Sequence, residues 1–223
     1  MELALFSENS VAFLLRWVHL LAGITWIGLL YYFNFIQGEY FKEAEGGAKS
    51  DVIQKLVPRA LWWFRWGAMF TFLSGIFLIY IKHLSGIGIM IGAVLGIIMF
   101  LNVWLIIWPA QKIVIASAKQ VAGGGEPLAA AGTALAKAGL ASRTNTLFSV
   151  PMLFFMASSV HLGQLQTSVH STGLTSIVLV FGLIIALALN GVVGKTGPFT
   201  SVKGVISSGF LLTAILYILV EVT

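Results

Sequence analysis

The sequence predicts an all-α fold, a polytopic integral membrane bundle of six transmembrane helices forming one membrane domain over residues 1–223, and three observations predict it. Hydrophobic residues make up 58% of the chain and charged residues 9%, with a mean hydropathy of +0.96, whereas soluble domains are roughly a quarter charged. Six apolar runs each reach the ~20 residues needed to cross ~30 Å of hydrocarbon at ~1.5 Å per residue. Lipid offers no partner to unpaired backbone groups, so long apolar runs must be helices or strands of closed barrels, and runs of this length are helices.

The first run, about 11–36, carries Arg16, His19 and Gly23 and gives way to a polar loop, 37–57, containing Lys42, Lys49 and Lys55. A second, about 58–81, opens with Trp62, Trp63 and Trp66, an aromatic belt of the kind that anchors helices at a membrane boundary, and ends in a tight turn at His83 to Gly86. In the third, about 84–110, Gly88, Gly92 and Gly96 recur at spacing four, a small-residue seam for close helix approach, and Pro109 marks the expected end. A loop over 112–143 follows. It holds the flexible stretch Gly123-Gly124-Gly125-Glu126-Pro127 and an Ala-rich segment, 128–142, expected to be a short interfacial helix. The fourth run, about 144–165, has a kink-prone Pro151 and Asn145, which like Asn102 of the third is expected to make an interhelical bond, since buried amides in lipid seek one another or backbone. The fifth and sixth runs are about 172–193 and 204–221.

Charge sets the expected orientation. Of thirteen Lys and Arg, ten lie after the first, third and fifth runs: Lys42, Lys49, Lys55, Arg59, Lys112, Lys119, Lys137, Arg143, Lys195 and Lys203. Lys82 alone lies in an opposite connection, while Arg16 and Arg65 fall inside helix ends. The positive-inside rule then places loops 37–57 and 112–143 in the cytoplasm and both termini outside, as expected for a multi-pass protein of a bacterial inner membrane. Glu2 and Glu8 stand where a cleavable signal peptide would be basic, so none is expected. The net charge of +5 is accounted for by loops meeting anionic lipid rather than nucleic acid. Without cysteine, disulfides, thiolate metal sites, iron–sulfur clusters and covalent c-type haem attachment are excluded.

This orientation gathers all four histidines toward the outer face. Imidazoles on two helices of a bundle are a common way to hold b-type haem, and His19 and His161 are the pair expected to ligate its iron. Gly23, Ala157 and Ser158 are small neighbours that a macrocycle needs. Arg16, one turn from His19, suits a propionate, though it is equally able to snorkel to the interface, and Met90 is a further candidate axial ligand beside its ordinary packing role. His83 and His170 are expected to cap carbonyls or meet headgroups. Copper is the weaker alternative metal, His and Met being adequate ligands for it. No acid lies mid-span, which disfavours proton-coupled transport through buried carboxylates.

The pieces Arg16-Trp17-Val18-His19, Gly23-Ile24-Thr25-Trp26-Ile27-Gly28, Trp63-Phe64-Arg65-Trp66, Leu73-Ser74-Gly75, Gly92-Ala93-Val94-Leu95-Gly96, Asn102-Val103, Pro109-Ala110-Gln111-Lys112, Asn145 and the run Pro151 to His161 occur in an order that resembles the membrane-embedded N-terminal region of the bacterial urate oxidase (urate hydroxylase) family. The likeness spans the first four helices. It implies an oxidoreductase region that passes electrons to an outward c-type haem, with His19 and His161 on histidines of the family pattern. Where that pattern has further histidines this chain has Met90 and Thr144, and where it has an acid this chain has Gly67. The Lys/Glu-rich stretch 40–55 replaces a Gly- and His-containing segment, and the 223 residues stop short of two further helices and the cytochrome c domain of longer members.

The resulting expectation is a haem b-binding electron-transfer protein with its haem near the outer face and a periplasmic cytochrome c or a larger membrane complex, such as a respiratory assembly, as partner. A membrane urate or purine oxidase and a cofactor-free accessory subunit are the alternatives; an enzymatic role, if any, is that of an oxidoreductase. Self-association into a homo-oligomer is left open.

Overall fold

The computed structural model describes residues 7–222, apart from the side chain of Gln164; Glu2, used above, lies outside them. Six long helices account for the architecture: α1 (Glu8–Glu43), α2 (Gly46–Lys82), α3 (Ile87–Ala122), α4 (Ala131–Ser158), α5 (Leu174–Val193) and α6 (Val202–Val222). No strand occurs among the described residues beyond a single bridge, Gly86 to Ser168. All but α4 are long and apolar enough to cross a membrane.

The two expected cytoplasmic loops are corrected. Segment 37–57 is almost wholly helical, broken only at Ala44 and Glu45 between α1 and α2, and 112–143 is helical save for the turn between Ala122 and Ala131. The polar residues there extend the long apolar helices, because Lys, Glu, Gln and Ala are good helix formers wherever they meet water. The Ala-rich segment is therefore the first part of α4 rather than a separate interfacial helix. At its other end α4 stops at Ser158, short of the expected 165, and His161 lies in the turn beyond.

Pro109 does not end α3. A π-helical segment, Asn102–Ile107, precedes it, so Pro109 falls in the first turn of the α-helix that resumes at Trp108, where a missing N–H is tolerated. A matching π segment, Tyr32–Gln37, interrupts α1. Each carries a buried Asn bonded to another helix. Asn34 donates to the Leu30 carbonyl (2.9 Å) and to Ser142 Oγ (2.8 Å); Asn102 donates to Asn145 Oδ1 (2.8 Å), whose own amide donates to the Met99 carbonyl (2.9 Å). The interhelical bonding of Asn102 and Asn145 expected from the sequence is thus borne out.

Helix α4 is the hub. It packs against α3, α5 and α6 and touches α1, while α1 lies along α2. Its run Thr144 to Ser149 is buried throughout, and its hydroxyls bond back to carbonyls one turn earlier or to Tyr31 of α1. The glycine seam predicted on α3 is where α4 and the turn after it approach: a Cβ on Gly92 would stand 3.0 Å from Met156 Cγ of α4, and one on Gly88 2.9 Å from Cβ of Leu165 in the segment beyond α4. The alternating helices leave two unlike ends. One holds the starts of α1, α3 and α5, where Lys82 pairs with Glu8 (3.5 Å) and Asn9 (3.0 Å). At the other sit all ten cations counted above.

Candidate functional site

The four residues expected to form a site are not in hydrogen-bond or ion-pair contact with one another. His19 of α1 is half-buried against α2, with its Nδ1 3.1 Å from Ser74 Oγ. Ser74 Oγ also lies in donor range of the Phe70 (2.6 Å) and Thr71 (3.1 Å) carbonyls, and donation to either makes Nδ1 of His19 the donor to Ser74; the Thr71 backbone also interacts with the His19 ring. The ring lies against Gly75, where a Cβ would come 3.1 Å from Cε1. Gly23 faces Thr71 of α2 at 4.0 Å, so it serves helix packing. Arg16 and His161 are exposed and Met90 is half-buried. Among the described residues, no group of three or more His, Cys, Asp or Glu side chains could hold a metal ion.

The positions that depart from the urate oxidase pattern have structural reasons. At Gly67 a Cβ would stand 3.1 Å from the Trp26 nitrogen and 3.2 Å from the Ala22 carbonyl, so the α1 backbone occupies the space of any side chain there. Thr144 is pressed against Gly191 of α5, where a Cβ would lie 2.6 Å from Thr144 Oγ1, and a histidine would not fit.

A cavity opens instead at the basic end. It has a volume of about 620 Å³ and lies among α1, α2, α3, α4 and the Gly197–Thr200 turn. The π segment of α1 sends Phe33, Asn34 and Gln37 into its wall and that of α3 ends there at Ile107. Such wide turns bring side chains into positions a regular helix does not reach, and they recur at functional sites. Lys42, Lys49 and Arg143 supply positive charge; Gln111 and Ser142 add polar groups; Phe41, Phe64 and Ile53 supply apolar surface.

The charges differ in how far they are already engaged. Lys42 pairs with Glu39 (2.7 Å). Lys49 donates to the Phe41 carbonyl (3.2 Å) and sits 5.5 Å from the centre of that ring. Arg143 feels the charge of Glu39, yet its Nη1, like Gln37 Oε1, is buried without a hydrogen-bond partner. Arg143 and Gln37 thus line one cavity while each encloses a polar atom that no protein group satisfies, a donor and an acceptor that are closed off from solvent in this arrangement and reach a small polar ligand only on a change of rotamer.

Comparison with protein families decides the relationship: the family model described as "Urate oxidase N-terminal" matches residues 82–218, more than half of the chain. The chain belongs to the urate oxidase N-terminal family. No curated protein and no solved structure matches it. The family match takes in Met90, Gln111, Arg143 and His161 but leaves out α1 and nearly all of α2, including Arg16 and His19.

Sequence reasoning missed the cavity because its residues were assigned elsewhere. Arg143 counted as a topology cation, Asn34 fell within the first apolar run, and Gln37 opened the polar loop 37–57. Their spacing of three on one helix face, inside Phe33-Asn34-Phe35-Ile36-Gln37, is the signal that could have marked them.

Proposed function

We propose that the chain spans a bacterial inner membrane six times, with its basic end in the cytoplasm and both termini outside, and that it is an oxidoreductase of the urate oxidase kind whose cytoplasm-facing cavity receives a small planar anion of the oxopurine class. The segregation of ten cations to one end supports the orientation. Although α4 is too polar to count as an apolar span, its polar run is enclosed by neighbouring helices, which is how polar residues persist at membrane depth. The observation that carries the ligand class is the pair of unfilled groups, Arg143 Nη1 and Gln37 Oε1, on residues that line a cavity with aromatic walls; both atoms are enclosed, so the ligand is received as the two side chains turn toward it. An oxopurine anion presents a charged oxygen for the guanidinium, an N–H for the amide oxygen and a flat face for Phe33 or Phe41. The family relationship supports the same class.

Titrating urate into the detergent-purified protein, with tryptophan fluorescence as readout, tests this. Saturable quenching is expected, weakened about tenfold, or ~1.4 kcal/mol, in Arg143→Gln. Equal affinity in the two proteins sinks the assignment.

A second reading places haem b at the other end and is carried by His19, whose contact with Ser74 would, with Nδ1 as donor, present Nε2 to iron, the arrangement found in metal-ligating imidazoles. His161 would be the second ligand and Arg16 would meet a propionate. Bound there, the haem would supply one-electron transfer to a periplasmic cytochrome c or a partner subunit. A reduced-minus-oxidised b-type band that disappears in His19→Ala supports this reading; a protein that stays colourless after haem addition ends it.

A further inference from the structure

Between Val52 and Gly125 the chain has no acidic residue, yet this stretch carries Lys55, Arg59, Arg65, Lys82, Lys112 and Lys119. Two of these cations lie against the same aromatic ring. The Arg65 guanidinium of α2 lies 3.9 Å from the centre of the Trp108 ring of α3 and 5.8 Å from that of Trp104, and Lys112 Nζ lies 5.7 Å from the centre of Trp108. Neither cation makes a hydrogen bond or an ion pair with any described residue, and Arg65 Nε is buried without an acceptor. Stacking on tryptophan holds a guanidinium in place but leaves its charge unneutralised. The place is the α2–α3 face at the basic end, one residue from Gln111 of the cavity wall, flanked by exposed Trp62 and Trp63.

We propose that Arg65 and Lys112 form a clamp for the phosphate of an anionic phospholipid from the cytoplasmic leaflet, with Trp108 as its floor. The phosphodiester oxygens accept from the guanidinium and the ammonium, and the acyl chains run up the apolar α2–α3 face past Leu101 and Leu105, both exposed. Charge complementarity selects the occupant: two unpaired cations need an anion, and at an interfacial tryptophan belt the abundant anion is a lipid headgroup. Free phosphate shares the headgroup chemistry but lacks the chains.

The inference rests on the membrane-spanning reading, and the test separates the two. The purified protein is placed in nanodiscs of mixed phosphatidylglycerol and phosphatidylcholine, and the lipid that stays bound after transfer to detergent is weighed by native mass spectrometry. Wild type is expected to retain phosphatidylglycerol preferentially, with retention falling at least fivefold in Arg65→Gln and in Lys112→Gln, and with 10 mM inorganic phosphate unable to displace it. Lys112 is exposed, so its substitution probes the clamp even where Arg65→Gln disturbs folding. Undiminished retention in Lys112→Gln, or displacement by inorganic phosphate, overturns the lipid clamp. Extraction of the wild-type protein from membranes by alkaline carbonate overturns the spanning reading itself.

Discussion

Replacing Asn145 with leucine isolates the polar hub of the bundle. Asn145 is fully buried and makes two interhelical bonds, accepting from Asn102 and donating to the Met99 carbonyl. Each such bond within a membrane is worth ~0.6–2 kcal/mol, and a buried group left unpaired adds ~1–3 kcal/mol. Asn145→Leu is therefore expected to cost about 2–4 kcal/mol. Asn102→Leu removes one bond and leaves Asn145 its contact with Met99, so about 1–2 kcal/mol is expected on the same scale. The double substitution is the informative one: with both amides gone no side-chain amide is left unpaired and the Met99 carbonyl keeps the Asn102 backbone N–H, so the cost should not exceed that of Asn145→Leu alone. Unfolding in bicelles by titrated SDS, followed by tryptophan fluorescence, gives the three values and a coupling of about 1–2 kcal/mol. Strict additivity would refute the claim that the two amides act as one unit.

Other outcomes follow from single contacts. Gly191→Ala places a Cβ within 2.6–2.9 Å of the Thr144 side chain, so a loss of about 1–3 kcal/mol is expected in the same titration; an unchanged midpoint refutes the close approach of α4 and α5. His83 ends α2 with φ of 47°, a left-handed conformation that costs an L-residue roughly 1–2 kcal/mol, so His83→Gly is expected to raise stability. Because the wild-type chain has no cysteine, single Ser7→Cys, Gly124→Cys and Ser171→Cys variants report topology without background. A membrane-impermeant maleimide added to intact spheroplasts should label the first and third and spare the second; labelling at position 124 reverses the proposed orientation.

The all-helical architecture was legible because hydropathy and helix length are tied by the thickness of a bilayer, and the six helices fall where the six runs predicted them. Their ends were not. Apolar content marks where a helix meets lipid but says nothing of how far it continues into water, so Lys42, Lys119 and the Ala-rich start of α4 were assigned to loops although each lies in helix. Local partners were legible where residue type alone marks them: the amides Asn102 and Asn145, and the glycines Gly92 and Gly96 against a facing helix. Sites built from several helices were less so. The environment of His19 depends on Ser74 and Gly75, some 55 positions away, and the basic cavity draws on five parts of the chain.

Helix α4 shows why a membrane sequence can mislead in this direction. Ranked by hydropathy it is the least convincing span, since it carries Arg143, Thr144, Asn145, Thr146 and Ser149 in one stretch. That polarity is what a central helix can hold and a peripheral one cannot, because each group finds a protein partner: Ser142 receives Asn34, Ser149 meets Tyr31, Asn145 meets Asn102, and Thr144 and Thr146 bond back to their own helix. The exception is Arg143, whose Nη1 finds none. In a helix where the other polar side chains of this stretch are satisfied, Arg143 is the one that buries a guanidinium nitrogen with no partner to offset the cost, beside the basic cavity that its side chain lines.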